Sequence, residues 1–212
     1  MGKVLDKIYE TGLVSIIRGI YETKITQTVK ALLDGGIKVL EITFDTPGAA
    51  GMIEKIKKEF GNEITIGAGT VLDPETARTA ILSGADFILS PSLNTKVIEI
   101  CSRYGKLAVP GVLTPTEMVN ALEAGAQIIK LFPARIFGPA YIKDIKGPLK
   151  QVDIMAVGGI SLENAGEFIK SGAMSLGIGS ELVNTRLVDN ENYDVITRNA
   201  SLFIEKVKTA RV

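Results

Sequence analysis

Histidine is missing from all 212 residues of the chain, and this absence removes more chemistry than any other. Ser-His-Asp and Cys-His mechanisms need an imidazole, and the common catalytic zinc sites are hard to build without one. No metal site is expected, and acid-base work falls to Glu, Asp, Lys, Tyr or water. Cysteine occurs once, at Cys101, so no disulfide framework can form within one chain. Its setting, Val97-Ile98-Glu99-Ile100-Cys101-Ser102, reads as the apolar face of a helix, a core position rather than a nucleophile. Net charge is also lacking: 24 basic residues balance 24 acidic ones. That removes the electrostatic argument for a nucleic-acid or membrane-surface partner and favours a small-molecule ligand. The opening residues, Met1 to Asp6, hold no apolar stretch long enough for a signal peptide. Asp6 stands where a myristoylation motif needs Ser or Thr, and a cytoplasmic protein is expected. No Ser- or Pro-rich linker divides the chain, so residues 1–212 read as one domain.

What the chain does contain is a repeated phrase. It appears at Leu32 to Glu41 (LLDGGIKVLE), Ile81 to Ser90 (ILSGADFILS), Leu122 to Lys130 (LEAGAQIIK) and Ile169 to Gly177 (IKSGAMSLG). In each, an amphipathic stretch ends at a Gly suited to a left-handed helix cap, and a short apolar run follows at once. The same logic predicts strands near 13–18, 37–42, 63–68, 86–90, 106–110, 127–131, 153–157 and 174–178. Helical patterns fall at 24–34, 48–59, 74–83, 95–104, 115–124, 139–146 and 162–171, with one more helix over about 190–210. Eight near-continuously apolar strands alternating with helices predict an α/β fold, a (β/α)₈ TIM barrel. An open doubly wound sheet is the alternative, but no Gly-x-Gly-x-x-Gly follows the first strand.

Lys130 interrupts the apolar run Ala126-Gln127-Ile128-Ile129-Lys130-Leu131-Phe132-Pro133. An isolated buried ammonium is so costly that its pKa falls or a carboxylate pairs with it. On this run alone, chemistry and a structural salt bridge stand even. Active sites of such barrels lie at the C-terminal strand ends, where this chain places Arg18, Glu41, Thr43, Thr70, Ser90, Thr114, Lys130 and Ser180. Strand alternation puts Val39, Glu41 and Thr43 on one face, and Ile128, Lys130 and Phe132 on one face of the sixth strand. The second and sixth strands lie opposite each other with equal parity, so Glu41 and Lys130 can meet over the mouth. An amine of lowered pKa facing a carboxylate suits imine chemistry on a ketone. The alternative for Glu41 is the structural counter-ion of Lys130. The loops Val157-Gly158-Gly159-Ile160-Ser161 and Gly177-Ile178-Gly179-Ser180 follow the last two strands, where exposed backbone N–H groups suit a phosphate. The turn Gly67-Ala68-Gly69-Thr70 offers further donors, suited to a carboxylate.

These residues, with Ile17-Arg18, Leu40 to Thr43, Gly67 to Leu72, Ser90-Pro91, Pro110-Gly111, Lys130 to Pro133, Gly158 to Ile160 and Gly179-Ser180, make the chain resemble a known family. It is similar over nearly its whole length to the class I aldolases that cleave 2-keto-3-deoxy-6-phosphogluconate (KDPG) and 4-hydroxy-2-oxoglutarate (KHG). The resemblance implies cleavage of KDPG to pyruvate and glyceraldehyde 3-phosphate, and of KHG to pyruvate and glyoxylate. It implies Lys130 as the Schiff-base lysine and Glu41 as the general acid/base, with no cofactor beyond the covalent imine. It further implies Thr70 at the pyruvyl carboxylate, Phe132 beside the imine, Gly159, Gly179 and Ser180 at the phosphate, and Arg18, Thr43, Pro91, Val157 and Gly158 as further substrate contacts. The expected assembly is the family's homotrimer.

Two departures bear on the substrate. Asp45 stands where many gluconate-type members carry Arg, and it would repel a substrate anion, leaving Arg18 to supply the cation. Ala156-Val157 replaces the usual Pro-Thr, and a valine cannot hydrogen-bond a substrate hydroxyl. Val157, Arg18-Gly19 and Phe137-Gly138-Pro139 followed by Tyr141-Ile142-Lys143 resemble the 2-keto-3-deoxy-6-phosphogalactonate (KDPGal) aldolases, while Thr43 is the gluconate-type choice. The rival readings are a phosphate-binding barrel of another reaction class and a non-catalytic sugar-phosphate binding protein.

Overall fold

The four glycines of the repeated phrase explain the fold's rhythm. Gly36, Gly84, Gly125 and Gly172 take φ of 94°, 98°, 101° and 106°, a region that a Cβ makes costly. Each stops a helix and turns the chain into a strand. The computed structural model describes residues 2–211.

The strands are β1 (Leu13–Ile17), β2 (Val39–Thr43), β3 (Thr65–Gly69), β4 (Phe87–Leu89), β5 (Leu107–Val109), β6 (Gly111–Val112), β7 (Ile129–Leu131), β8 (Ile154–Val157) and β9 (Ser175–Ile178). All pair in parallel, in the order β5-β4-β3-β2-β1-β9-β8-β7-β6. The expected eight strands become nine because β5 and β6 are one run broken at Pro110, which has no N–H to give a ladder. That run still joins the two ends of the sheet. Ser90 N–H donates to Val109 O (3.2 Å) on one side, and Lys130 N–H donates to Pro110 O (2.8 Å) on the other. The result is a nearly closed barrel.

The helices between strands are α2 (Glu22–Asp34), α3 (Ala49–Phe60), α4 (Pro74–Leu82), α5 (Thr95–Arg103), α6 (Pro115–Glu123), α7 (Gly138–Lys146) and α8 (Ala165–Lys170), and the tail forms α10 (Tyr193–Ala210). Two starts carry sequence-legible caps. Asp73 Oδ1 accepts from Thr76 N–H (2.7 Å), and Thr114 and Glu117 form a capping box, each with Pro at the first helical position. Two helices lie outside the expected set. Short α9 (Thr185–Asp189) follows β9, and α1 (Gly2–Thr11) sets fully buried Ile8 against Val14, Val39 and Ile128. Helix α1 thus covers the N-terminal end of the barrel, leaving the C-terminal end as its mouth. Strands β2, β3 and β7 begin two residues later than expected. Ile37 is still in the helix-to-strand turn, where its N–H donates to Leu32 O (2.9 Å), and pairing starts where Thr65 N–H reaches Lys38 O (2.8 Å).

Alternation along the strands sorts the core into two layers. Val14, Ile16, Val39, Phe87, Leu89, Leu107, Val109, Ile128, Met155 and Val157 fill the interior. Leu13, Leu40, Ile42, Ile66, Ile129, Leu131, Ile154 and Leu176 pack outward under the helices. Burying each such side chain contributes on the order of 1.5–3 kcal/mol. The parity expected of strands 2 and 6 is the observed one. Among the described residues, no helix is long and apolar enough to cross a membrane.

Candidate active site

Two charges stand inside this apolar barrel. Glu41 on β2 is 1% exposed and Lys130 on β7 is 5% exposed. Burial raises the Glu41 pKa above its ordinary value, against the pull of Lys130 and Arg18. Burial likewise lowers the Lys130 pKa, against the pull of Glu41 and with the push of Arg18. Both shifts favour the uncharged forms, a free amine and a protonated carboxyl. Among the described residues, no carboxylate oxygen lies within 4.0 Å of Lys130 Nζ. The salt-bridge alternative for Lys130 therefore has no partner here, although the two groups still feel each other's field. Lys130 Nζ lies 5.0 Å from the centroid of the Phe132 ring. Glu41 Oε2 is buried without a hydrogen-bond partner, a costly state that a polar ligand would relieve.

Glycine makes room for the carboxyl. A Cβ on Gly69 would fall 2.6 Å from Glu41 Cδ and 2.9 Å from its Oε1. The two inward positions of β3 nearest the mouth, Gly67 and Gly69, are both glycines, and a Cβ on Gly67 would fall 2.6 Å from ring atoms of Phe87. Glycines two apart in a strand mark close approach, and that signal was present in the sequence.

Around the mouth, Arg18 Nη1 donates to Asp45 Oδ2 at 2.6 Å and Nη2 donates to Thr70 Oγ1 at 3.1 Å. Asp45 therefore clamps Arg18 in place, a partnership the expectation of simple repulsion did not contain. Thr70 takes φ of 56°, a left-handed conformation that is rare for a β-branched residue and costs on the order of 1–3 kcal/mol. Such strain concentrates where a backbone must present its groups to a ligand. Thr43 is fully buried, and its hydroxyl lies 3.1 Å from that of Thr46, which in turn accepts from Gly19 N–H at 3.0 Å. Pro91 follows β4, where a Cβ on Gly111 would fall 2.5 Å from its carbonyl oxygen. Val157 is 2% exposed and packs inward against Gly177.

A cavity of about 470 Å³ opens at the ends of β8 and β9, lined by Arg18, Phe132, Gly158, Gly159, Gly179 and Ser180 among the expected residues, while Glu41, Lys130, Thr43, Thr70, Pro91 and Val157 are not in its lining. Ile16, Arg135, Ile160, Ser161, Gly177 and Glu181 line it too. Gly158 and Gly159 take φ of 95° and 77°, and no atom stands within 4 Å of where a Cβ of Gly179 would be. The volume suits a small metabolite, and the two loops at the ends of β8 and β9 are the ones expected to take a phosphate.

A family model for KDPG and KHG aldolase matches residues 4–199. The chain belongs to the KDPG and KHG aldolase family. It is an aldolase, a carbon–carbon lyase. It is 35% identical over 199 residues to the 2-dehydro-3-deoxy-6-phosphogalactonate aldolase of Escherichia coli K12, covering 93% of this chain and 95% of the relative. It is 33% identical over 207 residues to the 2-dehydro-3-deoxy-phosphogluconate aldolase of Haemophilus influenzae, covering 97% of each. Among solved structures, native KDPGal superposes with a TM-score of 0.88 at 35% identity, over 93% of this chain and 95% of that one. A KDPG aldolase from Legionella pneumophila, with pyruvate captured as a covalent carbinolamine, superposes with a TM-score of 0.87 at 28% identity, over 92% and 95%.

Three features of this aldolase escaped sequence reasoning. Asp45 and Arg18 lie 27 positions apart and meet only because β1 and β2 are neighbours. Arg135 sits in a single 3₁₀ turn, Ala134–Ile136, that no periodicity marks. The clearance given by Gly69 was visible as a pattern but not as a contact.

Proposed function

We propose that this aldolase works through an imine on Lys130, with Glu41 moving protons. It cleaves 2-keto-3-deoxy-6-phospho-aldonates to pyruvate and glyceraldehyde 3-phosphate, and KHG to pyruvate and glyoxylate. The observation that carries the reading is the pair itself: a buried amine of lowered pKa and a buried carboxyl of raised pKa, in one apolar barrel, without an ion pair between them. A structural ion pair would close up, whereas a catalytic pair leaves room for the substrate.

The uncharged Nζ adds to the C2 ketone, giving a carbinolamine. Protonated Glu41 gives its proton to the departing hydroxyl, water leaves, and the iminium forms. Glu41, now a carboxylate, takes the proton of the C4 hydroxyl as the C3–C4 bond breaks. The bonding electrons move into the iminium, leaving an enamine on Lys130 and releasing the aldehyde. Protonation of the enamine at C3 and hydrolysis return pyruvate and the free amine, with no net oxidation. The Thr70 backbone suits the pyruvyl carboxylate, and the loops carrying Gly158, Gly159, Gly179 and Ser180 suit the phosphate.

Borohydride added with pyruvate tests this. A reduced pyruvyl mass on Lys130 with loss of activity is expected, and an unmodified Lys130 would refute the imine. Relaxed selectivity between KDPG and KDPGal is part of the reading, because the Val157 side chain has no hydrogen bond to offer the C4 hydroxyl. A ratio of kcat/KM beyond about a hundredfold between the two epimers would overturn that part. The proposed assembly is a homotrimer, which sedimentation would report as about three times the 22.6 kDa chain.

A further inference from the structure

Two arginines line the cavity, and the structure treats them differently. Arg18 is committed, with Nη1 on Asp45 and Nη2 on Thr70. Its place is beside the reacting end, since its charge is felt by both Glu41 and Lys130. Arg135 has no carboxylate within 4.0 Å among the described residues, Glu181 on the far loop included. Its stem lies flat on the glycine loop: a Cβ on Gly159 would fall 2.6 Å from Arg135 Cβ and 2.7 Å from its Cδ. Its backbone N–H donates to Gly158 O at 3.0 Å, which ties the turn after β7 to the loop after β8. The exposed Arg135 is thus held at the rim of the two loops, its guanidinium without a hydrogen-bond acceptor among the described residues.

Building on the aldolase reading above, we infer that Arg135 is the side chain that grips the terminal phosphate of the substrate, and so sets the preference for phosphorylated over unphosphorylated keto-acids. The backbone N–H groups of the glycine loops hold the phosphate as neutral donors, and Arg135 adds the compensating charge and a planar fork that matches two phosphate oxygens. Glu181, which lines the same cavity, opposes the anion, so the loops without Arg135 would hold it poorly. KHG has no phosphate and gains nothing from this contact.

The test is the ratio of kcat/KM for KDPG to that for KHG, in wild type, Arg135→Ala and Arg135→Lys. In Arg135→Ala the ratio should fall at least about tenfold, through a raised KM for KDPG, as expected for a charge-assisted contact. Arg135→Lys should recover part of the loss because it keeps the charge without the fork. Added salt should narrow the gap between wild type and Arg135→Ala. Ratios within threefold of wild type in both variants would overturn the assignment of Arg135 while leaving the aldolase reading intact. A wild-type protein that cleaves neither substrate and gains no borohydride-trapped pyruvyl group would overturn both.

Discussion

Replacing Gly69 by alanine should disable the site with a single methyl group. The new Cβ would stand 2.6 Å from Glu41 Cδ, while ordinary contact begins near 3.4 Å, so the carboxyl must withdraw by roughly 1 Å. The backbone at Gly69 is not in the left-handed region, so alanine adds no conformational strain of its own. Glu41 has nowhere to go cheaply, because it is 1% exposed in a packed interior. At the group proposed to move protons, a displacement of that size should cost on the order of a hundredfold in turnover, equivalent to about 2.7 kcal/mol of barrier. Overpacking should destabilise the fold by about 1–3 kcal/mol. Steady-state kinetics, following pyruvate release from KDPG, measures the first effect, and urea denaturation measures the second. Gly51→Ala is the control. No atom lies within 4 Å of its added Cβ, and an alanine inside α3 should stabilise by about 0.5–1 kcal/mol without touching turnover. A folded Gly69→Ala protein whose kcat stays within threefold of wild type would refute the claim that this glycine clears the space for Glu41.

Further outcomes follow from the same structure. Because burial lowers the Lys130 pKa, trapping by borohydride should rise with pH and level off below the ordinary lysine value of 10.5; a rise that continues past 10.5 would contradict it. The unfolded chain binds that proton more tightly than the folded one, so the cost of the buried amine is full below the lowered pKa and fades as pH climbs toward 10.5. Lys130→Met should therefore stabilise the fold near neutral pH and do so less at high pH, and a gain that grows with pH in urea titrations would break the argument. Asp45→Asn removes a pair whose side chains are 58% and 44% exposed, so stability should change by less than about 1 kcal/mol, yet KM should rise as Arg18 loses its clamp. An unchanged KM would show that Asp45 positions nothing. Burial pushes the Cys101 thiol up to about 12, so thiol reagents at pH 8 should leave the native protein untouched and label it fully once unfolded.

Much of the fold is legible in the chain because its signals are local. A left-handed glycine followed by a short, mostly apolar run needs no distant partner to be recognised, and Gly36, Gly84, Gly125 and Gly172 all read true. The capped starts at Asp73 and Thr114 are equally local. Helix α1 was missed although Val4, Leu5 and Ile8 recur at helical spacing, and that pattern does not say which end of the barrel it covers. The break at Pro110 follows from proline chemistry, but that the run still closes the ring depends on what lies on both its sides.

The same division runs through the site. Period-two alternation places Glu41 and Lys130 on inward faces, and the repeat count places their strands opposite, so the proposed reacting pair could be named from residues alone. Whether the two charges close into a salt bridge could not, because that depends on side-chain reach across an interior whose width the sequence does not state. Pairing of β1, β2 and β3 side by side brought Asp45 onto Arg18 across 27 positions and Arg18 onto Thr70 across 52, turning a residue expected to repel the substrate into one that aims a cation. It also laid Arg135 across Gly159 and left a free carboxyl oxygen on Glu41. The sequence by itself determined which residues face inward, since alternation acts within a few residues. Only the tertiary structure decided which of them are paired, clamped or left open, since those distances exist only once the strands have packed side by side.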